Sequence, residues 1–151
     1  DHGLLRILWT NMAPVAPGVW RSNHPLPGRL PRLHRMGIRD ILSLRGARSS
    51  PSYLFEKEAC DALGIRLHSI ALAARRAPAR AELLALIGYF RTLPRPFLMH
   101  CKSGADRAGL ASALYLMVIE GQGVAAARTQ LSPRFLHFRR SATGVLDHVL
   151  D

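Results

Sequence analysis

The ten residues His100, Cys101, Lys102, Ser103, Gly104, Ala105, Asp106, Arg107, Ala108 and Gly109 constrain this chain more than any other stretch. A short apolar run, Phe97-Leu98-Met99, precedes them, and a long apolar segment, Leu110 to Ile119, follows. That pattern predicts a buried strand, a tight glycine-containing loop and the N-terminus of a core helix. Such a loop turns consecutive backbone N–H groups toward one point, and the helix dipole adds partial positive charge there. An anion is expected in the cup. The strand side supplies a thiol, Cys101, and the helix side a guanidinium, Arg107, with five residues between them.

Each residue type in the loop has a chemical reason to be there. Facing N–H donors, a helix N-terminus and an arginine, Cys101 is placed to favour its thiolate, the form that attacks electrophiles. Arg107 can grip two oxygens of a phosphate and stabilise charge on a transferring phosphoryl group. Gly104 permits a turn that a Cβ would hinder. His100 is expected to be a buried imidazole that fixes the loop. Lys102, Ser103, Gly104, Ala105, Asp106 and Arg107 form the expected phosphate-binding loop.

His-Cys-x5-Arg between a strand and a helix resembles the signature of the cysteine-dependent protein tyrosine phosphatase superfamily, in its compact bacterial-type dual-specificity-like branch. Two further segments are similar to that branch: the run Gly18-Val19-Trp20-Arg21-Ser22, and the run Gly37-Ile38 through Leu44-Arg45-Gly46. The resemblance implies a phosphatase that passes through a cysteinyl-phosphate intermediate, needs no metal or organic cofactor, and acts most readily on protein phosphotyrosine. The alternatives are a phosphoinositide phosphatase, to which Lys102 and the net charge point, and a non-catalytic phosphate-binding relative. A sulfur-transfer or reductase thiol is a more distant reading.

Two departures from the family pattern bear on activity. Cleaving a phosphate monoester needs a proton donor for the leaving oxygen. The resemblance implies an Asp for this role on a loop before the cysteine, but here that loop, Leu72 to Pro78, contains no carboxylate. Glu82 lies at the following helix start, where a first-turn acid is expected on electrostatic grounds alone. Asp106 lies inside the phosphate loop, an arrangement similar to that of myotubularin-type lipid phosphatases, and is either the acid or a residue that caps loop amides or pairs with a base. Arg107 favours its carboxylate form, which works against the first role. The second departure is Ala108, where the family usually has a Ser or Thr to assist the thiolate as it leaves phosphorus; slower breakdown of the intermediate is expected.

The rest of the chain reads as one α/β domain, residues 1–151, with residues 1–18 as an irregular N-terminal lead-in. Its length suffices to bury about two-thirds of the unfolded surface. Strands are expected near Val19 to Arg21, Ile38 to Leu44, Ile65 to Ile70 and Phe97 to Met99. Helices are expected at Leu26 to Met36, Ser49 to Leu63, Glu82 to Leu93, Leu110 to Ile119, Val124 to Leu131 and Thr143 to Leu150. Their alternation predicts a mostly parallel central sheet of about four to five strands with helices on both faces. In such sheets ligands bind beyond the carboxyl ends of the strands, where the Cys101 loop falls. Residues 4 to 9 form an apolar stretch of unassigned type. Arg21 and Ser22 are expected to build a hydrogen-bonded turn, and Asp40 a strand or edge position.

The formal charge of +11 comes almost wholly from arginine, spread along the chain with doublets at Arg75-Arg76 and Arg139-Arg140. Without basic-aromatic interleaving this is not a nucleic-acid signature; it is a field that draws in anionic substrates. No apolar run reaches transmembrane length. Two cysteines make no disulfide framework. Cys60 is expected to be a buried hydrophobe, with a regulatory bridge to Cys101 as its alternative. A free catalytic thiol suits a reducing compartment, so a cytoplasmic location is expected, while the opening Asp1 leaves room for an upstream signal or anchor.

Overall fold

The structure, a computed structural model, describes residues 9–141 and 143–151. Five strands form one sheet: β1 (Ala13–Ala16), β2 (Val19–Ser22), β3 (Asp40–Ser43), β4 (Arg66–Ser69) and β5 (Phe97–His100), in the order β1-β2-β5-β3-β4. All neighbours run parallel except β1 and β2. Among the described residues the α-helices are α1 (Leu30–Arg35), α2 (Pro51–Leu63), α3 (Arg80–Thr92), α4 (Asp106–Val118) and α5 (Val124–Arg128), with 3-10 turns at Pro27–Arg29, Pro133–Phe135 and Gly144–Leu150. This is the single α/β domain that the alternating pattern predicts.

Burial on both faces of β5 explains its continuous apolar run. Phe97 and Met99 pack on one side with Val19, Leu42, Leu86, Phe90 and Tyr115, from β2, β3, α3 and α4. Leu98 points to the other side, with Leu30, Leu33, Ile41, Cys60 and Ile65. A smaller third cluster joins Leu110 and Ala113 of α4 to Ala127, Leu131, Leu146 and Leu150. Helix α4 is therefore apolar nearly all round, as a helix covered on every side must be.

Local chemistry places the helix ends. Pro51 sits in the first turn of α2, where the Ser50 hydroxyl accepts the Tyr53 N–H at 3.4 Å. The helix stops at Gly64, which takes the left-handed φ of +70° that a residue with a side chain adopts at a cost.

Three expectations are corrected. The lead-in is not wholly irregular: β1 pairs with β2 despite Pro14, because an edge strand needs only one side of its backbone for pairing. The strand expected near Val19 to Arg21 is present and extends through Ser22, so Arg21 and Ser22 do not build a turn. The helix after Gly123 ends at Arg128, and the C-terminal segment is a 3-10 helix. Most of the apolar stretch 4 to 9 lies outside the described residues.

The two cysteines sit on opposite sides of the sheet, in different core clusters, and both are free thiols. Burial, with Glu56 and Asp61 nearby, pushes the Cys60 thiol up to about 12. It is the inert buried hydrophobe, not half of a bridge. Asp40 is buried at the start of β3, clamped by Arg66 at 2.7 and 2.8 Å and His68 at 2.9 Å. Burial raises its carboxyl, but those hydrogen bonds outweigh it and hold the group below the usual range.

Candidate active site

Because β2, β3, β4 and β5 are parallel, their carboxyl ends open onto one edge. Ser22 and Ser43 both stand in register with His100, so the residues that follow each strand converge. The chain leaves β5 at Cys101, turns through Ser103 and Gly104, and enters α4 at Asp106. The thiol is only 1% exposed, at the bottom of this turn, and the Gly104 N–H donates to Cys101 Sγ at 3.2 Å. No side chain caps the N-terminus of α4, so its first amides remain available to an anion.

Gly104 shows why the loop needs glycine. Its φ is +77°, and a Cβ would lie 2.7 Å from the Asn23 backbone nitrogen and 2.8 Å from the Ser22 carbonyl carbon. The phosphate loop rests directly on the end of β2.

Arg21 holds it there. This fully buried guanidinium donates from Nη2 to the Gly104 carbonyl at 2.6 Å and the Ala105 carbonyl at 3.3 Å. From Nη1 it donates to the Gln130 carbonyl and side-chain oxygen, and it stacks 3.7 Å above the Phe135 ring. Burial lowers its pKa to about 10, which still leaves a full positive charge at neutral pH. The charge lies close enough to Cys101 for the thiolate to offset part of that lowering. A buried cation is thus built in close to Cys101.

His100 is fully buried. Its Nε2 lies 2.5 Å from Glu56 Oε2, and its Nδ1 lies 3.4 Å from the Cys101 carbonyl. Glu56 projects from α2 into the sheet edge. Burial raises its carboxyl, yet His100, His24 and Arg45 outweigh that and hold it below its ordinary value. The ligand-type atoms of His24, Glu56 and His100 lie within 4.8 Å of one another. Direct contacts already engage them: His100 meets Glu56, and Arg45 donates to His24 Nδ1 at 3.0 Å. The cluster is a hydrogen-bonded brace under the loop.

Arg107 lines a cleft of about 190 Å³ with His24, Ser43, Arg45, Arg48 and Tyr53, and among the described residues no carboxylate lines it. Its Nη1 donates to the Leu72 carbonyl at 3.4 Å, at the head of the carboxylate-free loop. Lys102 and Ser103 contribute backbone to the surroundings: His24 N–H donates to the Lys102 carbonyl, and Asn11 Nδ2 donates to the Ser103 carbonyl. Ala105 is buried at the loop's end, and its N–H meets Ser103 Oγ at 3.3 Å.

Asp106 turns toward the C-terminal segment. Its Oδ1 accepts from His137 Nδ1 at 2.7 Å and from Thr143 Oγ1 at 2.9 Å. His137 Nε2 in turn lies 2.8 Å from Asp147 Oδ2. Glu82 is held by Arg76 at 2.8 Å. Ala108 is fully buried in the cluster that contains Cys101, with its carbonyl taken by Ser112 Oγ at 2.6 Å.

A buried thiol in a strand–loop–helix turn at the carboxyl edge of a mostly parallel sheet, with an arginine in the first turn of the helix, is the arrangement of the tyrosine-phosphatase-like class of cysteine-dependent phosphatases. Residues 22–143 match the family described as PTP-SAK: Swiss Army Knife protein, DSP-PTPase phosphatase domain. The chain belongs to that family and is a phosphatase of the DSP-PTPase type. Its fold is similar to that of TpbA from P. aeruginosa, at 21% identity, covering 93% of this chain and 91% of that one, with a TM-score of 0.67. It is also similar to the core catalytic domain of the PP-IP phosphatase SIW14 from S. cerevisiae, at 19% identity, 93% and 85% coverage and a TM-score of 0.71. The active form of Tk-PTP gives 18%, 94% and 97%, and 0.72. No curated protein matches the sequence.

Reading the sequence missed Arg21, Glu56 and His137 as parts of the site. Each had a faint signal. Arg21 interrupts a strand, Glu56 shares a helix face with buried Cys60 four residues on, and His137 alternates with Phe135 on the inward side of its segment.

Proposed function

We propose that the chain hydrolyses phosphomonoesters through a cysteinyl-phosphate intermediate. The observation that carries this is the buried Cys101 Sγ under the Gly104 N–H, at the uncapped N-terminus of α4, whose first turn carries Arg107. The Cys101 thiolate attacks phosphorus and the P–O bond to the leaving group breaks. The loop amides and Arg107 hold the equatorial oxygens, and the departing oxygen takes a proton. Water then attacks the cysteinyl phosphate, releasing phosphate and restoring the thiolate.

For the proton we propose Asp106, with His137 behind it. Both His137 nitrogens face carboxylates, so both donate and the ring is an imidazolium. Its pKa is raised, first by the hydrogen bond to Asp106 and then by Asp147. Both bonds to Asp106 fall on Oδ1, which leaves Oδ2 for a proton in transit.

Substrates carrying more than one anionic group, of the phosphoinositide type, fit the cleft best, because Arg45, Arg48 and Arg107 line it and, among the described residues, no acid does. SIW14, named a PP-IP phosphatase, is in keeping with a substrate of several anionic groups, though not with a lipid in particular. Protein phosphotyrosine is the second reading, supported by a structure of TpbA in complex with pTyr.

Turnover of para-nitrophenyl phosphate tests the reaction. The wild type is expected to turn over, and Cys101→Ser to bind vanadate without turnover; an inert wild type that still binds vanadate would make this a binding module. Asp106→Asn tests the acid. It should slow phenyl phosphate, a poor leaving group, much more than para-nitrophenyl phosphate, and remove the basic limb of the pH–rate profile. Equal effects on both substrates would make Asp106 a scaffold residue. A panel of phosphopeptides and phosphoinositides decides the substrate class.

A further inference from the structure

The segment 133–140 alternates sharply. Phe135 and His137 are buried, while Leu136 and Phe138 are 46% and 53% exposed, and Arg134, Arg139 and Arg140 are exposed around them. Leu136 takes a left-handed φ of +63°, unusual for leucine, and that turn keeps its side chain on the outside. Exposed large apolar side chains set among cations are costly to leave in water and unnecessary for folding.

The inward residues fasten this segment to the phosphate loop. Phe135 lies under the Arg21 guanidinium that grips Gly104 and Ala105. One Asn11 amide donates to both the Ser103 and Phe135 carbonyls, at 3.1 Å each. His137 is bonded to Asp106 at 2.7 Å. Whatever holds Leu136 and Phe138 from outside therefore sits one residue away from groups that touch the catalytic loop.

The charge around the patch selects the occupant. Among the described residues Arg134 and Arg140 have no carboxylate partner, and Arg139 has only Asp151 at 3.9 Å. Beside them, a hollow of about 370 Å³ is lined by Leu131, Pro133 and Phe138 with Arg128, Arg139 and Arg140, and its one acid, Asp147, is engaged by His137. Two apolar side chains with a basic collar match the boundary between anionic headgroups and acyl chains.

We propose that the Leu136–Phe138 face seats this protein on an anionic lipid bilayer and so presents the phosphate loop to phosphorylated headgroups. The second half rests on the phosphomonoesterase reading above; the docking does not.

The test is co-sedimentation of the purified chain with vesicles of phosphatidylcholine alone or mixed with phosphatidylglycerol. The wild type is expected to partition onto the mixed vesicles, weakly onto the neutral ones, and less as salt is raised. Leu136→Asn with Phe138→Ser should lower partition about tenfold or more. Arg134→Ser with Arg140→Ser should abolish the preference for anionic lipid. Both double variants should turn over soluble para-nitrophenyl phosphate as the wild type does, which also shows that they fold. The apolar double variant should lose activity only on phosphorylated lipid presented in vesicles. Equal partition onto both vesicle types, or undiminished binding by the apolar variant, overturns the proposal. So does a dimer in light scattering that dissociates in that variant while vesicles are not bound. Vesicle binding by a chain inert toward para-nitrophenyl phosphate would uphold the docking and sink the phosphatase chemistry instead.

Discussion

His137 Nδ1 meets Asp106 Oδ1 at 2.7 Å across a sequence separation of 31 residues, joining the C-terminal segment to the first turn of the catalytic helix. With Asp147 on the other nitrogen, the ring is a buried cation between two carboxylates. The link ties the C-terminal segment to the loop that carries Cys101.

That pair should make stability depend on pH in a definite direction. The folded His137 pKa lies above its unfolded value of 6.5, so the stabilisation is complete below that value. It is lost as pH rises through the folded value. His137→Gln should flatten this dependence and cost roughly 2–4 kcal/mol at acidic pH, because Asp106 and Asp147 lose their cation. Urea unfolding at several pH values measures both. Unchanged pH dependence in the variant would remove His137 from the account.

Arg21 should behave as a positioning residue. Arg21→Lys keeps a charge but loses the planar fork that reaches Gly104, Ala105 and Gln130 together. A fall in kcat of roughly 10²-fold is expected, since a loop displaced by about 1 Å loses that much. KM should change far less. A lysine variant with wild-type kcat would show that charge alone suffices.

Gly104→Ala should damage the loop without touching any reactive group. The new Cβ would meet backbone atoms of Ser22 and Asn23 below 3.0 Å, at a positive φ that alanine avoids. Neither strand nor loop can yield cheaply, so vanadate affinity should fall together with turnover. Thermal unfolding of the variant, with and without vanadate, separates loss of the anion cup from loss of the fold.

Ala108 should make breakdown of the intermediate the slow step. Rapid mixing with para-nitrophenyl phosphate is expected to show a burst of nitrophenol followed by a slower steady rate. Ala108→Ser restores a hydroxyl beside Cys101, and one hydrogen bond to the leaving thiolate corresponds to about tenfold or more in the steady rate. A wild type without a burst would place the slow step earlier.

How far the sequence alone reaches differs from residue to residue. The strand–loop–helix around Cys101 was legible because its signals are local: an apolar run for β5, a glycine for the turn, an apolar segment for α4. The burial of His100 followed from the same stretch. The alternation of strands and helices likewise specified a mostly parallel sheet, whose open carboxyl edge had to carry the site. The strand β1 was obscured by Pro14 and Pro17, because their effect depends on whether a strand lies at an edge, which local sequence does not state.

Cys101 and Arg107, the proposed nucleophile and phosphate grip, belong to ten consecutive residues, so the sequence by itself placed them in one loop. What holds that loop rigid comes from elsewhere: Arg21 from β2, Glu56 from α2, Asn11 from before the sheet, His137 from near the C-terminus. A buried charge is tolerable only where distant chain brings it partners, and sequence spacing does not encode those meetings. Only the tertiary structure decided that Arg21 lies close to Cys101, that Asp106 faces an imidazolium, and that Leu136 and Phe138 stay in the open.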